Sequence, residues 1–333
     1  MAAVTLSREY STLLSLTRDK LVPPGKVINN IFRKNVVLDY MRMNAMKPWG
    51  GGAKAAIPLL LNESTTAKEL STKFEALDSD QVDPVTTAFY DYATFMEKVI
   101  IAHDDIDDNM GDDVQLENLV TTYTDSGERA LAKKINAGLI GGGVKIKGLV
   151  SDIVLNSGTL GEVDPATFTT WKAETTTAPT DADGSAGTSD LIPAMDRLFI
   201  ECTDGNEEPD VVMTTKTCFQ SYLKAARTSE QVVYDTTELA NRKVQKMLDA
   251  GYRIRGYNGL AVFFDRAFTA DKLIMVNTDS TFIGVNPKAN FKQSPFVDDT
   301  VGRRAISVSL MRVRLVQLCN ARWRNGFFTG ADS

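Results

Sequence analysis

The stretch from Thr86 to Ile101 carries apolar side chains at both alternating positions of an extended chain. If this stretch is one strand, one face carries Ala88, Tyr90, Tyr92 and Met96. The other face carries Phe89, Ala93, Phe95 and Val99. An apolar run at 57–61 precedes the stretch, so we predict a β-hairpin over about residues 55–102. Because a two-stranded ribbon with two apolar faces is marginal in water, it needs a cover from its own domain or from another chain. This is a first indication of assembly.

The composition is that of an ordinary globular protein. The 333 residues are 43% hydrophobic and 24% charged, enough for two or more packed units. The three cysteines, Cys202, Cys218 and Cys319, show no CxxC or zinc-like spacing. Neither a disulfide framework nor a structural metal site is therefore predicted, and reduced thiols of a cytoplasmic protein fit best.

No targeting or membrane segment is predicted. Residues 1–20 interleave charges with apolar residues and lack the apolar core of a signal peptide. No run of about 18 apolar residues, the length that a membrane-spanning helix needs, occurs in the chain. We therefore expect the protein to be made and to mature in the cytoplasm.

Charge is sorted along the chain. Residues 1–54 hold nine Lys or Arg against three acids, residues 55–126 hold sixteen acids against three Lys, and residues 301–333 hold six Arg against one Asp. The net charge of -6 argues against a dedicated nucleic-acid binder. Two interpretations remain open. The segments are solvated faces that cancel within one fold, or a basic arm and an acidic projection attract each other between neighbouring copies.

A long helix is predicted next, at about 113–138, from apolar residues spaced three and four apart. They are Leu116, Leu119, Val120, Tyr123, Ala130, Leu131, Ile135 and Leu139. The glycines at 141–143 predict its stop, short strands are expected up to Asn156, and a helix is expected to open at 163–167 towards Trp171. Residues 174–190 read as a polar loop.

Alternating helices and strands follow over about 191–285, which predicts an α+β unit. The expected helices are 191–202 and 217–226, and the expected strands are 209–214, 260–265, 272–277 and 282–286. The chain ends with a long strand at 305–321, whose apolar phase flips at Leu310–Met311. A bulge at that point would keep one face buried.

Catalytic motifs are sparse. His103 is the only histidine, and no G-x-S-x-G elbow accompanies it, so a structural role is favoured over a catalytic one. Asp105, Asp107 and Asn109 match the first ligand spacings of a calcium loop. The match fails later, where Met110 and Leu116 replace the required glycine and glutamate. Irregular metal binding and helix-start acids stabilised by the helix dipole both remain open.

Two further motifs were weighed. Gly138 and Gly143 have the separation of a phosphate-binding loop, but Val144 stands where lysine is required, so a helix stop explains them better. Arg322-Trp323-Arg324 could contact phosphate or bases, although pairing of an outward arginine with a carboxylate of a neighbouring subunit is favoured. We assign no catalytic, cofactor-binding or metal-binding residues.

Several phrases, in order, resemble major capsid proteins of tailed bacteriophages with the Hong Kong 97-type fold. They are Lys147-Gly148-Leu149, Gly158 to Asp164 leading to Trp171, Glu208 to Thr214, Tyr257 to Val262, Leu273 to Asn277 and Asn325 to Gly330. Each phrase is short and degenerate, so the resemblance rests on their order over nearly the whole chain.

The resemblance implies an α+β capsid fold with named parts. These are an N-terminal arm (1–54), an extended β-hairpin loop (55–102), a peripheral domain (103–190) with a spine helix at about 113–138, an axial domain (191–285), and a return to the peripheral domain with the long terminal strand (286–333). It also implies a non-enzymatic subunit that self-assembles into hexamers and pentamers of an icosahedral head enclosing double-stranded DNA.

The implied partners are other copies of the chain, a portal, packaged DNA contacted without sequence specificity, and a decoration protein in some members. No cofactor or membrane is implied. The family's fused scaffolding segment of about a hundred residues is not found before the arm, so a separate scaffolding protein or a processed form is expected. The implied location is the virion, after assembly in the host cytoplasm. Two alternatives stay open: an encapsulin-like compartment shell, and a metal-dependent hydrolase using Asp104–Asp108.

Overall fold

A computed structural model describes residues 35–50, 52–62, 69, 83–109, 113–177, 191–228, 255–268, 272–298 and 305–329. The chain divides into two compact units. The described part of unit 1 lies within Met96–Lys133 and Phe291–Arg312, and that of unit 2 within Asn35–Phe95, Lys134–Asn290 and Val313–Ser333. No helix within these ranges is long and apolar enough to cross a membrane.

The described helices are α1 (Val36–Asn44), α2 (His103–Asn109), α3 (Asp113–Gly141), α4 (Leu191–Glu201) and α5 (Lys216–Thr228). The first seven strands are β1 (Met46–Pro48), β2 (Lys54–Leu60), β3 (Val85–Asp91), β4 (Ala93–Ala102), β5 (Glu174–Thr177), β6 (Val211–Thr214) and β7 (Arg255–Tyr257). The others are β8 (Leu260–Phe264), β9 (Lys272–Val276), β10 (Thr281–Val285), β11 (Lys292–Gln293), β12 (Val297–Asp298), β13 (Ile306–Cys319) and β14 (Gly326–Thr329).

The mixed sheet of unit 2 has the strand order β5-β14-β9-β6-β8-β7. Its β14–β5 and β6–β8 pairs are parallel, and the others are antiparallel. Strand β6 is buried along its whole length, and α4 and α5 supply much of the adjoining core. The helices and strands predicted between 191 and 277 are confirmed. However, β10 leaves this sheet to pair with β1 and β13, while β14 joins it from beyond the predicted segment.

Helix α1 lies within residues 1–54, which were predicted to form an extended arm. One side of this helix is instead buried in the core of unit 2. Val37, Tyr40 and Met41, spaced three and four apart, are fully buried. Its first turn is fixed by side chains far along the chain: Asp265 Oδ2 accepts from the Val37 N–H at 3.1 Å, and Asn136 Oδ1 from the Leu38 N–H at 3.0 Å. The predicted arm residues 1–34 lie outside the described residues.

Helix α3 confirms the long helix predicted at about 113–138. In unit 1, its Gly127 faces β4 and β13, where an added Cβ would lie 2.9 Å from Val99 Cγ2 and 3.6 Å from Met311 Cε. Glycine is unfavourable in a helix interior, but here it permits a close approach of helix and sheet. In unit 2, the predicted apolar residues Ile135 and Leu139 are buried.

The chain after α3 differs from the prediction of short strands. It turns at Gly142, which has φ +77°, and continues as a π-turn over Leu149–Ile153. Asp152 Oδ2 accepts from the Gly148 N–H at 2.9 Å and from Ser151 Oγ at 2.5 Å, a local capping arrangement that competes with strand pairing. The helix predicted towards Trp171 is replaced by turns.

Two strands differ from their predicted patterns. The predicted strand 86–101 is two strands, because the buried positions change phase at Tyr92–Ala93, and this explains its apolar character on both alternating positions. In β13 the predicted bulge at Leu310–Met311 is wrong: Ser309 and Met311 are buried, while Leu310 is 48% exposed.

The extra residue lies instead on the strand opposite β13. Gln293 pairs with Met311 and Val297 pairs with Val308, so three residues face two. Ser294 occupies this bulge, donating its N–H to Leu310 O and accepting the Leu310 N–H on Oγ, both at 2.9 Å. Strand β13 therefore keeps its regular alternation.

Glu174 of β5 predicts a pH effect on unit 2. Partial burial and then the nearby Glu201 carboxylate raise the pKa of Glu174 above its ordinary 4.5. Folding therefore favours protonated Glu174, so this residue costs stability above the raised pKa, and the cost disappears as pH falls towards 4.5. Glu174→Gln should raise the unfolding temperature at pH 7.5 but not at pH 4. The control is Glu128→Gln on the exposed side of α3. A pH-independent gain from Glu174→Gln would contradict this account.

Candidate subunit-contact surface

Strands β2 and β3 form a two-stranded antiparallel ribbon, with Lys54 opposite Asp91 and Leu60 opposite Val85. Alternation separates its two faces. The inner face is buried within unit 2 and consists of Ala55, Ile57, Leu59, Ala88 and Tyr90. On the outer face, Leu60 is 74% exposed, Val85 53% and Phe89 40%. The same chain thus covers one face of the ribbon and leaves an apolar stripe on the other.

The inner face rests on the segment 158–171, called the seat below. The Phe89 N–H donates to Gly161 O at 2.9 Å. The contact beside it is close, since a Cβ on Gly161 would lie 2.8 Å from that of Ala88. Thr170 Oγ1 donates to Leu61 O at 3.3 Å at the far end of β2. The seat therefore contacts the ribbon along much of its length.

A single buried arginine holds the seat. The guanidinium of Arg322, fully buried, donates to the carbonyl oxygens of Asp152 (2.7 Å), Ile153 (3.1 Å), Gly158 (3.1 Å), Ser157 (3.2 Å) and Trp171 (3.5 Å). These bonds satisfy carbonyls that irregular backbone leaves unpaired. Burial is the main cause that lowers the pKa of Arg322 from its ordinary value.

The sequence hypotheses for Arg322-Trp323-Arg324 allowed contact with phosphate or with another chain. Arg322 is instead buried within its own chain. Arg324 Nη1 lies 2.8 Å from Glu207 Oε2 of the same chain. The outward-arginine interpretation is wrong for Arg322, which is fully buried. Arg324 is partly exposed and pairs with a carboxylate of its own chain.

The root of the ribbon is fixed by a second set of contacts. Tyr92 OH donates to Gly50 O at 2.5 Å, and Arg314 Nη2 donates to Gly52 O at 3.0 Å. The Arg314 guanidinium also lies 4.5 Å from the centre of the Tyr92 ring, a cation–π distance. The carbonyl groups of Gly50 and Gly52 are thus each held by a side chain, from Tyr92 and from Arg314 respectively.

Tyr90 links the ribbon to the end of β13. Its hydroxyl donates to Cys319 O at 2.8 Å, and burial raises its pKa well above the ordinary value of 10. The neutral phenol is therefore the form present at physiological pH, and it can donate this hydrogen bond throughout that range.

Unit 1 has a partly apolar sheet face of its own. Because α3 covers the side of Val99 and Met311, alternation places Met96, Ile100 and Leu310 on the opposite side, where all three are exposed. The pairing of Lys292 with Arg312 places both bases on this side. The surface is mixed apolar and basic, a composition suited to protein contact.

His103 lies with Asp298 and Ser307, but not as a catalytic relay. Its Nε2 is 3.0 Å from Asp298 Oδ1 and 3.2 Å from Ser307 Oγ, and Ser307 donates to the same carboxylate at 2.7 Å. A relay requires the acid and the nucleophile on different ring nitrogens. The donation from Ser307, followed by His103, lowers the pKa of Asp298. The arrangement joins the first residue of α2 to β12 and β13.

The predicted acidic cluster forms helix α2. Asp104 and Asp105 fall in its first turn, where acids suit the helix dipole. Among the residues that the structure describes, no group of three or more His, Cys, Asp or Glu side chains could hold a metal ion. Gly138 and Gly143, which have the spacing of a phosphate-binding loop, lie near the end of α3 and in the turn that follows.

Comparisons with known proteins identify solved structures with the same fold. No protein-family model and no curated protein matches the sequence. The capsid asymmetric unit of cyanophage A-1(L) is similar in structure, with a TM-score of 0.64 and 16% identity, covering 95% of this chain and 98% of that one. The chain has a phage capsid-protein fold. This confirms the predicted α+β fold of the Hong Kong 97 type.

Two further solved structures share this capsid fold. The capsid of Myoviridae phage XM1 has a TM-score of 0.57 and 12% identity, covering 95% of this chain and 98% of that one. The holo-SrpI encapsulin complex from Synechococcus elongatus PCC 7942 has a TM-score of 0.57 and 11% identity, covering 96% and 95%. The chain thus resembles shell-forming subunits over nearly its whole length.

Arg322 generates a stability prediction. Arg322→Met should reduce the free energy of unfolding by about 3 kcal/mol or more, because several buried carbonyls lose their donor. Urea unfolding of the unassembled subunit measures this. Arg324→Met is the matched control and should cost at most about 1 kcal/mol, as expected for a partly exposed ion pair. Equal effects of the two substitutions would contradict the assigned role of Arg322.

Proposed function

We propose that the chain is a major capsid protein that assembles into hexamers and pentamers of an icosahedral phage head enclosing double-stranded DNA. The observation that carries the proposal is the shared capsid fold over 95% of the chain and 98% of the cyanophage subunit. A match of this extent leaves little of the chain for an additional catalytic domain. The role is accordingly structural and not enzymatic.

The ribbon supplies a contact between subunits in this proposal. Its outer stripe of Leu60, Val85 and Phe89 is apolar and exposed in the isolated subunit, although its inner face is well packed. Burial of such a stripe against a second copy would remove apolar area from water and so favour association. Repetition of one heterologous contact around an axis closes into rings, the building blocks of a shell.

The separation of acidic and basic segments along the chain would favour one orientation of neighbouring subunits. The acidic residues 55–126 include the ribbon, whereas residues 1–54 are basic. Attraction between these segments of different copies would favour correct docking over like-charged pairings. We therefore expect assembly to weaken as ionic strength rises.

By the same proposal, residues 1–54 include an arm, 55–102 an extended loop, 103–190 with 286–333 a peripheral domain, and 191–285 an axial domain. A separate scaffolding protein, a portal and a decoration protein are proposed partners, and DNA is contacted without sequence specificity. The protein would assemble in the host cytoplasm and reside in the virion.

An encapsulin-like compartment is the second candidate, favoured by the similarity to the SrpI complex. The two candidates differ in what the shell encloses. Particles purified from the native source should contain genomic DNA if this is a phage head. Particles that contain protein cargo and no nucleic acid would favour the compartment.

Assembly is tested by expressing the chain alone and with a scaffolding partner, then measuring size by light scattering and electron microscopy at low and high salt. We expect rings or shells at low salt. Monomers under all of these conditions would refute the proposal. A metal-dependent hydrolase using Asp104–Asp108 would instead yield a monomer or small oligomer with divalent-metal-dependent activity.

The outer stripe predicts a specific loss of assembly. Leu60→Asp with Phe89→Asp should abolish particles while leaving the unfolding midpoint of the subunit nearly unchanged, because both side chains already face water. Ile200→Asp is the control, since Ile200 is 69% exposed on α4, next to Glu201. Normal particles from the ribbon variant would show that this stripe is not a contact.

A further inference from the structure

Two hairpin turns in unit 2 have the same backbone form but different residues. Gly161–Glu162 connects Leu160 with Val163, and both central residues have φ +65°. Asn258–Gly259 connects β7 with β8, with φ +45° and +79°. Positive φ at both central residues is the requirement of a type I′ turn. The chain therefore contains a matched pair for comparison.

The residue types in the two turns differ in cost. Asn-Gly is the preferred pair of a type I′ turn, because Asn tolerates the left-handed conformation and glycine adopts it freely. Glutamate at the second central position has no such advantage, and a side chain at positive φ is strained. Glu162 therefore occupies a position that glycine would fill more favourably. An observed strain of this kind is a reason to look for a function.

Glu162 contacts the ribbon through its side chain. Its carboxylate forms an ion pair with Nζ of Lys54, the first residue of β2. Both side chains are about half exposed. The hydrogen bond from Lys54 to Glu162 raises the pKa of Lys54, so the lysine remains charged at physiological pH. A strained turn in the seat is thereby connected to the beginning of the ribbon.

The neighbouring residue explains why the carboxylate must come from this turn. Gly161 O accepts the Phe89 N–H, and there is no space for a side chain at Gly161 beneath Ala88. Position 162 follows immediately and points its side chain at Lys54 on the opposite strand of the ribbon. One two-residue turn therefore contacts both strands, β3 through a carbonyl and β2 through a carboxylate.

We propose that Glu162 is a positioning residue that fixes the orientation of the ribbon through Lys54, and that its left-handed conformation is retained for this contact. This inference rests on the proposed function, because orientation matters if the outer stripe docks on another copy. Loss of the contact should loosen the ribbon without unfolding the seat. Shells should then form with a broader distribution of sizes.

The first test is hydrogen exchange of the unassembled subunit. Glu162→Gly relieves the backbone strain and removes the carboxylate. We expect amide exchange in β2 and β3 to rise by about two- to fivefold, the range of an exposed ion pair. The unfolding midpoint of the subunit should stay the same or rise. Lys54→Met should give the same increase in exchange without changing the turn.

Three comparison variants separate the ion pair from general effects of charge and of turn conformation. Asp91→Asn removes a second, weaker attraction on Lys54 from within the ribbon, so it should raise ribbon exchange by less than Glu162→Gly does. The exchanged pair Lys54→Glu with Glu162→Lys is made together with Asp91→Asn, because a carboxylate at position 54 would otherwise face Asp91. It should restore the exchange of the Asp91→Asn subunit, because it reverses the charges but keeps the contact. Asn258→Gly in the other turn removes a hydrogen bond to Asp196 of α4 and should leave exchange in β2 and β3 unchanged.

Particle size is the second readout, measured by electron microscopy of assemblies from wild type and variants. Broader size distributions for Glu162→Gly and Lys54→Met, with recovery in the exchanged pair, would support the proposal. Faster exchange confined to 158–163, or failure of the exchanged pair to recover, would overturn it. Absence of particles from the wild type would instead refute the proposed function, while the exchange experiment would still decide the role of Glu162 in the ribbon.

Discussion

The buried guanidinium of Arg322 is the interaction on which the ribbon and its surroundings depend. It gathers carbonyls from Asp152 to Trp171, a stretch whose irregular backbone cannot satisfy them internally. That stretch includes the seat, and the seat holds the ribbon through Gly161 and Thr170. A lysine could not replace this arginine with the same effect, since its ammonium lacks the planar fork that reaches carbonyls in several directions.

The isolated subunit already buries one face of the ribbon against its own chain. Tyr90, Ala88 and Ile57 are buried against their own chain, so the ribbon does not depend on a neighbour for its existence. What a neighbour would add is cover for the outer stripe. This division suits a shell subunit, because the subunit must fold before assembly and still present an apolar surface afterwards. The mixed basic and apolar face of unit 1 has the same character.

Periodicity predicted the regular elements well. The spacing of Ile135 and Leu139 indicated α3, and the buried run at Val211–Thr214 indicated β6. The contacts that form the candidate surface were harder to predict. Arg322 looked like a surface residue because no sequence pattern reveals which carbonyls, 151 to 170 residues away, will need a donor. Glu162 has no sequence signal of its own, because residue identity does not reveal a positive φ. The phase of β13 was misread for a related reason: the bulge lies on the opposite strand, at Ser294.

The long sequence separation of the Arg322 contacts also has a consequence for the order of events during synthesis. The ribbon and its seat leave the ribosome well before Arg322, which follows Trp171 by 151 residues. Until that arginine arrives, the carbonyls of the seat have no fixed donor, and the ribbon has no settled support. Because domains fold as their residues become available, a nascent chain would acquire its docking surface late. Premature association of incomplete chains on a polysome would thereby be limited by the same residue that stabilises the finished subunit.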